Sequence, residues 1–503
     1  MNLSRIHARA LVGIEAPLIT IETHLSPGLP SMAIVGLAAT AVRESKDRVR
    51  SALINSQFSF PTRRITVNLA PADLPKEGGR FDLPIAIGIL AASGQIATAL
   101  YESFEFVAEL ALSGALRPVQ GILPAAIAAK ARGKTLVVAQ ENAAEAALCG
   151  VPIVAVKHLL EVIEHLSGAV KHDYLVPPKL ESNSAVGPDL KEVIGQHQGK
   201  RALELCAAGH HNLLLIGPPG TGKTMLASRL NGILPPLSEA QAIECAAIAS
   251  ISGRAFEPAK WRMRPFRSPH HTASAVALVG GGSQPRPGEV SLAHQGVLFL
   301  DELTEFQRRV LEVLREPLES GVVTISRAAR QARFPAHFQL VAAMNPCPCG
   351  HFGNPQGECR CSSDQVRRYL LKLSGPFLDR IDLQVQIPAM PALELAQGAK
   401  ESESSSAVLQ RVLSAQQRQR SRQNKLNGEL TVAELAAVVK LDARTHAYAL
   451  EVLKKLSLSA RAYHRVLRVA RTLADLKDEP NVDCSDIAEA VSMRGFERLL
   501  AQL

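Results

Sequence analysis

Hydrophobic and polar positions follow two different periods in the first third of the chain. Runs with a strand-like pattern, such as Arg64 to Leu69 and Thr135 to Val138, are rich in β-forming residues. Between them lie segments with helical spacing of apolar positions, such as Ala38 to Asn55 and Ile122 to Ala131. Alternating strands and helices predict an α/β front domain over residues 1–175.

The pattern changes twice more towards the C-terminus. Residues 176–190 are rich in proline, serine and asparagine, which is the composition of a linker. Residues 191–390 contain short apolar runs that predict buried strands of a second α/β domain. Residues 391–503 begin as a polar linker of low complexity and continue with helical periodicity. We therefore expect three domains, of which the last is helical.

Composition and length agree with a large globular protein. The chain has 503 residues, 47% of them hydrophobic and 20% charged, and is too long for a single core. Its longest apolar segment, Leu83 to Leu100, is interrupted by proline, glycine and polar residues, so we expect no membrane span and a cytoplasmic location. The net charge of +9 favours an anionic partner, although an excess of this size also fits an ordinary surface.

One apolar run leads into a motif with clear chemistry. The sequence NLLLIGPPGTGKT, Asn212 to Thr224, places a G-x-x-x-x-G-K-T loop between a predicted strand and a predicted helix. Such glycines let backbone amides surround phosphate groups, while the lysine reaches the β- and γ-phosphates and the threonine hydroxyl binds Mg²⁺. A chance glycine-rich turn is the alternative. The predicted phosphate-binding residues are Gly217, Pro218, Pro219, Gly220, Thr221, Gly222, Lys223 and Thr224.

A second apolar run ends in two carboxylates. The segment GVLFLDEL, Gly296 to Leu303, predicts a buried strand followed by Asp301 and Glu302. Hydrolysis of a nucleoside triphosphate needs one carboxylate to hold magnesium and another to polarise the attacking water. We expect Asp301, with Thr224, to hold Mg²⁺ and Glu302 to activate water. Together with the phosphate loop, this pair predicts an ATPase.

Three more polar residues are candidates for the same reaction. Asn345 closes the apolar run FQLVAAMN and is expected to orient the water. Arg380 lies between two aspartates and forms either a local salt bridge or a finger that enters a neighbouring subunit's site, which requires an oligomer. Arg461, Arg465 and Arg468 form a basic stripe on a predicted helix. We expect Arg461 to contact the nucleotide, and a solvated basic face is the alternative for the other two.

Cysteines are concentrated in one segment, residues 346–363, between Asn345 and Arg380. Four thiolates suit tetrahedral zinc, and disulfides are rare in a reducing compartment. C-x-C pairs are less usual zinc ligands than C-x-x-C pairs, so reduced packing thiols and a redox switch remain open. In each case the segment is expected to act as a brace. The four cysteines are Cys347, Cys349, Cys359 and Cys361.

These motifs and their order resemble the AAA+ ATPases of the magnesium chelatase-related branch, and in particular its ComM/YifB group. The resemblance spans nearly the whole chain, and it implies a P-loop AAA+ module with a helical lid, ATP at subunit interfaces and a homohexamer. It also implies an insert at about residues 264–289 before the second acidic motif. The matching segments are GPPGTGKT, RPFRSPHHTASAVALVGGGSQPRPGEVSLAHQGVLFLDEL, EVLREPLESGVVTISRA, MNPCPCG and LSARAYHRVLRVARTLADL.

The same resemblance implies a β-hairpin from Val323 to Arg333. In related hexameric motors such elements line the central pore. Arg327, Arg330 and Arg333 are therefore candidates to contact a DNA backbone, and a solvent-exposed turn is the alternative.

The front domain resembles the proteolytic domain of Lon, an α/β domain of the ribosomal protein S5 domain 2-like class. The segments LPKEGGRFDLPIAIGIL and LSGALRPVQGILPAAIAAKARGKTLVVAQEN match those that carry Lon's serine and lysine, but Arg80 and Leu123 occupy these positions. Neither residue can replace its counterpart chemically, and Lys76 and Ser113 do not fit the aligned roles. We expect an inactive scaffold or a cap that grips substrate.

Three functions from different classes remain. The family resemblance implies a DNA helicase that drives branch migration of recombination intermediates in natural transformation, with single-stranded and branched DNA and recombination proteins as partners. A magnesium-chelatase-type ATPase subunit and an ATP-dependent unfoldase or protease-like machine are the alternatives. The missing dyad argues against a protease, and the Lon-like front domain argues against a chelatase subunit. We therefore expect a DNA motor.

Overall fold

The computed structural model describes most of the chain. The predicted linker lies outside the described residues except for residues 187–190, and so does the start of the second polar segment, residues 391–401. The described ranges are 2–36, 39–97, 101–175, 187–254, 256–282, 285–327, 330–354, 357–390, 402–456 and 459–501.

The front domain contains two sheets and a short ribbon. Its strands are β1 Leu3–Arg9, β2 Leu18–Ser26, β3 Ser31–Val35, β4 Arg64–Ala70, β5 Phe104–Val107, β6 Glu109–Leu110, β7 Leu116–Arg117, β8 Thr135–Ala139 and β9 Ile153–Val156. The first sheet has the order β1-β2-β4-β3, in which only β3 and β4 pair in parallel. The second is the parallel sheet β5-β8-β9, and β6 pairs with β7.

Helices of the front domain pack on these sheets and form two apolar clusters, one around the helix Asp82–Ala92 and one around the helix Ile122–Ala131. The helix Asp82–Ala92 is buried along its whole length, which explains why its sequence is apolar on every side. The predicted strands and helices of this region are confirmed, although Ala38 lies outside the described residues. The helices are Thr40–Arg43, Ser45–Asn55, Asp82–Ala92, Ile122–Ala131, Ala143–Ala146 and Leu159–Ser167.

A five-stranded parallel sheet forms the centre of the rest of the chain. Its strands and two hairpins are β10 Leu213–Ile216, β11 Phe266–Arg267, β12 Gly280–Gly281, β13 Arg286–Pro287, β14 Val297–Leu300, β15 Val322–Arg327, β16 Arg330–Pro335, β17 Gln339–Met344 and β18 Leu383–Gln386. The sheet order is β11-β14-β17-β10-β18, while β12 pairs with β13 and β15 with β16. The strands β10, β14 and β17 are buried at every position, as expected for a parallel sheet that is covered on both faces.

Helices cover both faces of this sheet. They are His197–Gly209, Lys223–Arg229, Glu239–Ile251, Ala275–Val279, Glu289–Leu292, Arg308–Glu312, Arg315–Ser320, Ser363–Leu370 and Gly375–Leu378, followed by Ser405–Gln423, Val432–Val438, Ala443–Lys455, Ala460–Lys477, Cys484–Ser492 and Gly495–Ala501. Among the described residues, no helix combines the length and apolarity that a bilayer crossing requires. The predicted insert at 264–289 is only partly separate from the sheet, because β11 is one of the sheet's strands.

The predicted second linker is wrong over much of its length. Ser405–Gln423 is a helix of 19 residues, and it packs against the helix that precedes β10. The side-chain amides of Gln416 and Gln419 donate to the carbonyls of Ala207 and Ala208 at 2.8 and 3.1 Å. Those carbonyls end a helix and have no partner within it. The polar composition of this segment therefore reflects buried hydrogen bonds to another helix.

The front domain contacts the central sheet's helices directly. Residues of the helix Ile122–Ala131 share an apolar cluster with the helix Glu239–Ile251 and with Trp261, the single tryptophan of the chain. The backbone N–H of Gly121 donates to the carbonyl of Ser250 at 3.2 Å. This contact fixes the front domain beside the sheet on the side of these helices.

Candidate active site

The predicted phosphate loop lies at the carboxyl end of β10. The helix that follows begins at Lys223. Gly220 and Gly222 have φ of +76° and +84°, a left-handed conformation that favours glycine. No atom lies within 4 Å of the position that a Cβ would take on either residue. The space above the loop is therefore open, and it faces the N-terminus of a helix, where backbone amides bind phosphate.

Neighbouring strands hold the loop from below. The N–H of Gly217 donates to the carbonyl of Met344 at 3.2 Å, and a side chain at Gly217 would overlap the carbonyl of Ile387. The Thr221 hydroxyl donates to the carbonyl of Pro218 at 2.9 Å. The loop is thus fixed to the strand on each side of β10.

Lys223 is buried in the loop, where its ammonium binds three oxygen atoms. Nζ donates to the carbonyls of Gly217 and Pro218 at 2.7 Å each and to Oδ1 of Asn345 at 3.1 Å. Burial lowers the pKa of Lys223 to about 8. The structure therefore brings Asn345, at the end of β17, to the lysine that is predicted to contact the γ-phosphate.

The two predicted magnesium ligands are adjacent. The Thr224 hydroxyl donates to Oδ2 of Asp301 at 2.7 Å, and Oδ1 of Asp301 accepts from the backbone N–H of Glu302 at 2.9 Å. Mg²⁺ is bound by few protein oxygens together with water and phosphate oxygens. A hydroxyl and a carboxylate at this spacing, beside open space above the loop, fit that preference. Thr224 and Asp301 would hold Mg²⁺ here.

Glu302 is oriented by a residue that the sequence did not identify. Its side chain is 58% exposed, and Oε2 lies 3.0 Å from Nδ1 of His271. The backbone of Glu302 has a φ of +52°, which turns the residue away from the line of β14. His271 belongs to the SPHHTAS part of the long matching block. In the sequence, the adjacent pair of histidines was the only sign that this segment could contact a catalytic residue.

Arg380 binds residues of its own chain. Its guanidinium lies 2.5 Å from Oε1 of Glu319, and Nε donates to the carbonyl of Arg315 at 3.1 Å. The side chain is only 11% exposed. In the single chain Arg380 thus forms a local salt bridge, although its partner is Glu319 and neither flanking aspartate. A role in a neighbouring subunit would require release from Glu319.

The three arginines of the C-terminal helix have different environments. Arg461 is 75% exposed and lies 3.6 Å from Asp379, so it is available to a nucleotide. Arg465 is 16% exposed and forms a 2.5 Å ion pair with Asp382. Arg468 donates to a backbone carbonyl. The alternative of a solvated basic face is therefore wrong for Arg465 and Arg468, which attach the helix to the structure around it.

The four clustered cysteines converge on one point. The sulfurs of Cys347, Cys349 and Cys359 are 3.4, 3.6 and 3.8 Å apart, and Cys361 lies within 4.8 Å of them. Tetrahedral zinc with bonds of about 2.3 Å needs sulfurs about 3.8 Å apart. The N–H of Phe352 also donates to Cys347 at 3.3 Å. These four residues fit a structural zinc site.

The cysteine segment touches the phosphate loop. Gly350 has a φ of +84°, and a Cβ there would lie 2.6 Å from Cδ of Pro219. Such close approach is possible only for glycine. A change in the conformation of the cysteine segment would therefore displace Pro219 of the phosphate loop.

The thiols of the cysteine segment differ in acidity. A backbone amide hydrogen bond from His351 lowers the pKa of Cys349 to about 6, whereas burial raises the pKa of Cys347 to about 12.

A second group of metal-ligand residues lies at the opposite edge of the sheet. His210, His337 and Glu429 place one ligand atom each within 4.8 Å of one another. Arg264 and Arg420 line the same cavity. Their positive charges oppose a bound cation, so this group is a weaker metal site than the four cysteines.

The predicted hairpin is present and spans Val322 to Pro335. Buried and exposed side chains alternate along its two strands, which is typical of a hairpin with one face on the core. The side chain of Arg333 is exposed. Arg327 and Arg330 are backbone partners at the end of the hairpin, and their side chains are not among those that the structure describes. A Cβ on Gly13 would lie 3.2 Å from the carbonyl of Arg333, so the front domain touches the hairpin.

In the front domain, Arg80 and Leu123 are both buried. The Arg80 guanidinium donates to the carbonyl of Gln120. The ammonium of Lys76 donates to the carbonyl of Pro71, whereas the Ser113 hydroxyl accepts from a backbone N–H at 3.4 Å. Within the described residues, no hydrogen bond joins Lys76 to Ser113.

Three family models match successive parts of the chain. The model described as magnesium chelatase, subunit ChlI, matches residues 189–395, and the model of its C-terminal part matches residues 402–494. The model described as subunit ChlI of Mg-chelatase matches residues 21–142. The expectation that a front domain distinguishes this chain from chelatase subunits is therefore not supported.

Full-length relatives narrow the family. The chain is 52% identical over 505 residues to the protein YifB of Salmonella typhimurium, covering 100% of this chain and 99% of that protein. It is 50% identical over 510 residues to the competence protein ComM of Haemophilus influenzae, with the same coverage. The 38 kDa magnesium-chelatase subunit of Cereibacter sphaeroides is 28% identical over 171 residues, 31% of this chain and 51% of that subunit.

The sheet, the phosphate loop and the family models agree on an AAA+-like α/β fold and on an ATPase of the magnesium chelatase type, with ATP and Mg²⁺ as substrate and cofactor. The identities to YifB and ComM extend over the whole chain. This chain therefore belongs to the ComM/YifB group of magnesium chelatase-related proteins.

Proposed function

We propose that this chain is an ATP-driven DNA motor that promotes branch migration of recombination intermediates. The observation that carries the proposal is the connection between β17 and the hairpin. β17 ends beside Asn345 at the phosphate loop, and only residues 336–338 separate its other end from β16. A change at the nucleotide is thereby transmitted along a buried strand to a hairpin that carries the exposed Arg333.

The relatives and the charge support a role on DNA. The name of the Haemophilus influenzae relative refers to competence, which favours a DNA-related role. The formal charge of +9 favours a polyanionic partner. We therefore propose single-stranded and branched DNA as the ligands of Arg327, Arg330 and Arg333, with recombination proteins as further partners.

The residues of the site divide the work of hydrolysis. Lys223 exchanges its carbonyl partners for phosphate oxygens, and the amides of the phosphate loop stabilise the same charge. Glu302 accepts a proton from the attacking water, which Asn345 orients. Thr224 and Asp301 would hold Mg²⁺, which would supply positive charge to neutralise the phosphates. Arg461 contacts the nucleotide from the C-terminal helices.

The proposed assembly is a homohexamer with ATP between subunits. Arg380 of one subunit would leave Glu319 and enter the site of its neighbour. An arginine supplied in this way contributes about 10³ to 10⁵ in rate in related phosphoryl transfer. The front domain, proposed to have the Lon-protease-like fold without peptidase activity, would act as a scaffold that contacts the hairpin.

An ATPase comparison tests the function. Turnover is measured with single-stranded DNA, forked DNA, a porphyrin and an unfolded protein, and branch migration is followed on a synthetic four-way junction. Stimulation by DNA and movement of the junction are expected, both lost in Glu302→Gln. DNA affinity should fall with salt at a slope of about −0.7 to −0.9 for each phosphate contact. Retained branch migration in Glu302→Gln would overturn the proposal.

A chelatase-type ATPase is the second candidate, because the family models carry the chelatase description. Stimulation by the porphyrin and its chelatase partner, with no response to DNA, would favour it. Stimulation by the unfolded protein alone would favour an unfoldase.

A further inference from the structure

We propose that a cavity between the front domain and the sheet domain binds a ligand through a carboxylate group, which the buried guanidinium of Arg80 recognises. This site is separate from the phosphate loop. It does not depend on the proposed action on DNA.

Arg80 is buried without a counter-ion. It is 7% exposed, its Nη2 donates to the carbonyl of Gln120, and its Nη1 is buried without a hydrogen-bond partner. In the part of the chain that the structure describes, no carboxylate forms an ion pair with it. Burial lowers the pKa of Arg80 to about 10, so the group stays charged at neutral pH. A buried charge requires an opposite charge or full hydrogen bonding.

The space beside Arg80 is large enough for a small ligand. The cavity has a volume of about 570 Å³, within the range of about 300 to 1,000 Å³ for ligand sites. Leu74 and Val119 line it from the front domain, while Ile251 and Gln331 line it from the sheet domain. The cavity therefore lies at the junction of the two domains, which is held together by the contact between the helices Ile122–Ala131 and Glu239–Ile251.

Gly78 keeps the wall next to Arg80 open. Its φ is +71°, and no atom lies within 4 Å of the position that a Cβ would take. The residue also lines the cavity. A ligand thus has free access to the backbone next to the guanidinium.

The charges of the lining favour a carboxylate over a phosphate. Asp73, Glu77 and Glu109 line the cavity together with two arginines, Arg80 and Arg286. Glu109 is paired with Arg117 at 3.8 Å. The acids of the lining repel a phosphate dianion more strongly than they repel the single charge of a carboxylate, which is the group that a guanidinium binds through parallel hydrogen bonds. The same acids favour a neutral or cationic remainder. This chemistry is that of an amino acid or of the C-terminal end of a peptide.

Binding to the full-length chain tests the proposal. Isothermal titration and thermal unfolding would use acetyl-trialanine with a free carboxylate, the same peptide as its amide, free alanine, and inorganic phosphate. We expect the free carboxylate forms to bind and to raise the unfolding temperature, and we expect the amide and phosphate to do neither. Stronger binding by acetyl-trialanine than by free alanine would identify a peptide end as the ligand, and the reverse would identify a free amino acid.

Variants separate recognition from stability. Arg80→Met should weaken binding about tenfold or more, the usual loss for hydrogen bonds to a charged group, and should unfold at the same or a higher temperature than the unmodified chain without ligand. Gln331→Trp, which fills the cavity from the opposite wall, should also abolish binding with Arg80 intact. Arg63→Met changes an exposed arginine of the same domain and should bind normally. Equal binding of amide and acid, binding unchanged in Arg80→Met, or no binding of either carboxylate would overturn the proposal.

Discussion

Lys223 holds its charge in a place where the chain alone supplies only neutral oxygens. Two backbone carbonyls and Asn345 bind its ammonium, and burial brings its pKa to about 8. Phosphate oxygens are stronger partners for the charged form than carbonyls are. Nucleotide binding is therefore linked to protonation of this one residue.

We expect ATP affinity to fall as the pH rises above 8. The ordinary pKa of lysine is 10.5 and the value here is about 8, so the free chain loses the proton first, while bound phosphate favours the protonated form. The apparent affinity should drop by up to about tenfold for each pH unit above 8. A fluorescent ATP analogue titrated with Mg²⁺ between about pH 7 and 9.5 measures it. Lys223→Arg keeps its charge, and an equal slope in that variant would contradict the explanation.

The contact between His271 and Glu302 predicts a graded loss of turnover. Glu302→Gln should lower kcat by about 10² to 10⁴ while ATP still binds, because the amide cannot accept the proton. His271→Ala should lower kcat less and leave the KM for ATP unchanged, since His271 lies 3.0 Å from Glu302 and positions it. His270→Ala, at the adjacent residue, is the control. A rise in KM without a fall in kcat would place His271 at the substrate.

Single residues were predictable where a local pattern encodes their role. Lys223, Thr224, Asp301 and Asn345 each close or follow an apolar run, and parallel strands bring these ends together at one edge of the sheet. The partner of Arg380 was not predictable. Glu319 lies on the helix Arg315–Ser320, far from Arg380 along the chain, and a contact between distant parts of the chain leaves no mark on local spacing.

At the scale of elements, the cysteine segment predicts an effect of metal on the phosphate loop. We expect about one zinc per chain in freshly purified protein, and less in Cys349→Ser. ATP affinity should fall with the zinc, because Gly350 packs against Pro219 of the loop. Metal analysis and nucleotide titration on the same samples measure both quantities. Cys245→Ser is the control, because it alters a thiol outside the four-cysteine group. Zinc-free protein with full ATP affinity would refute the hypothesis that the cysteine segment braces the phosphate loop.

The ion pair between Arg465 and Asp382 ties the C-terminal helices to the sheet. Burial alone would raise the pKa of Asp382, but the charge of Arg465 holds it well below its usual value. The folded pKa lies below the unfolded one, so the pair stabilises fully above pH 4 to 5, and this contribution is lost as the pH falls towards the folded pKa.

Arg465→Met should therefore destabilise the chain by about 3 to 5 kcal/mol at pH 7, because the buried Asp382 loses its arginine partner. Among the described residues, its carboxylate then keeps only the backbone N–H of Asn212 at 3.0 Å and the ring of His211 at 3.8 Å. Without Arg465, burial raises the pKa of Asp382, so the penalty should shrink as the pH approaches 4. Denaturant unfolding at several pH values measures this. Arg461→Met removes an exposed arginine of the same helix and should change stability little. A penalty independent of pH would show that packing, and not charge, is lost.

Elements were predicted well where burial is uniform and poorly where polar residues are buried. The strands β10, β14 and β17 read as apolar runs because both faces of the sheet are covered. The helix Ser405–Gln423 has the composition of a linker because its buried glutamines bind the end of another helix. β11 is too short to give a signal of its own.

At the scale of the whole molecule, the front domain contacts two elements of the sheet domain. The front domain packs on the helix Glu239–Ile251 and touches the hairpin through Gly13. Composition predicted that domains exist, but their packing depends on contacts between distant segments that one sequence does not reveal. The proposed site at Arg80 lies at this junction, so its occupancy would bear on the hairpin as well as on domain contact.

The proposed active site is complete only in an assembly of several subunits. Arg380 is bound to Glu319 within its own chain, and hydrolysis is proposed to need it in a neighbour. Lys223→Ala removes the lysine of a subunit's own site, whereas Arg380→Ala removes the arginine that it supplies to the next. Each variant alone should form rings that bind DNA but hydrolyse ATP slowly, by about 10³-fold or more for the arginine variant.

Mixing the two variants separates an intersubunit finger from a local salt bridge. In a mixed ring with heterologous interfaces, about a quarter of the sites combine an intact Lys223 with an intact Arg380 from the other variant. ATPase activity should therefore return on mixing and rise with total protein concentration. Glu302→Gln mixed with Lys223→Ala is the control, because both defects lie in the subunit's own site and no intact site forms. If mixing restores no more ATPase activity than this control does, Arg380 acts only within its own chain, where it binds Glu319.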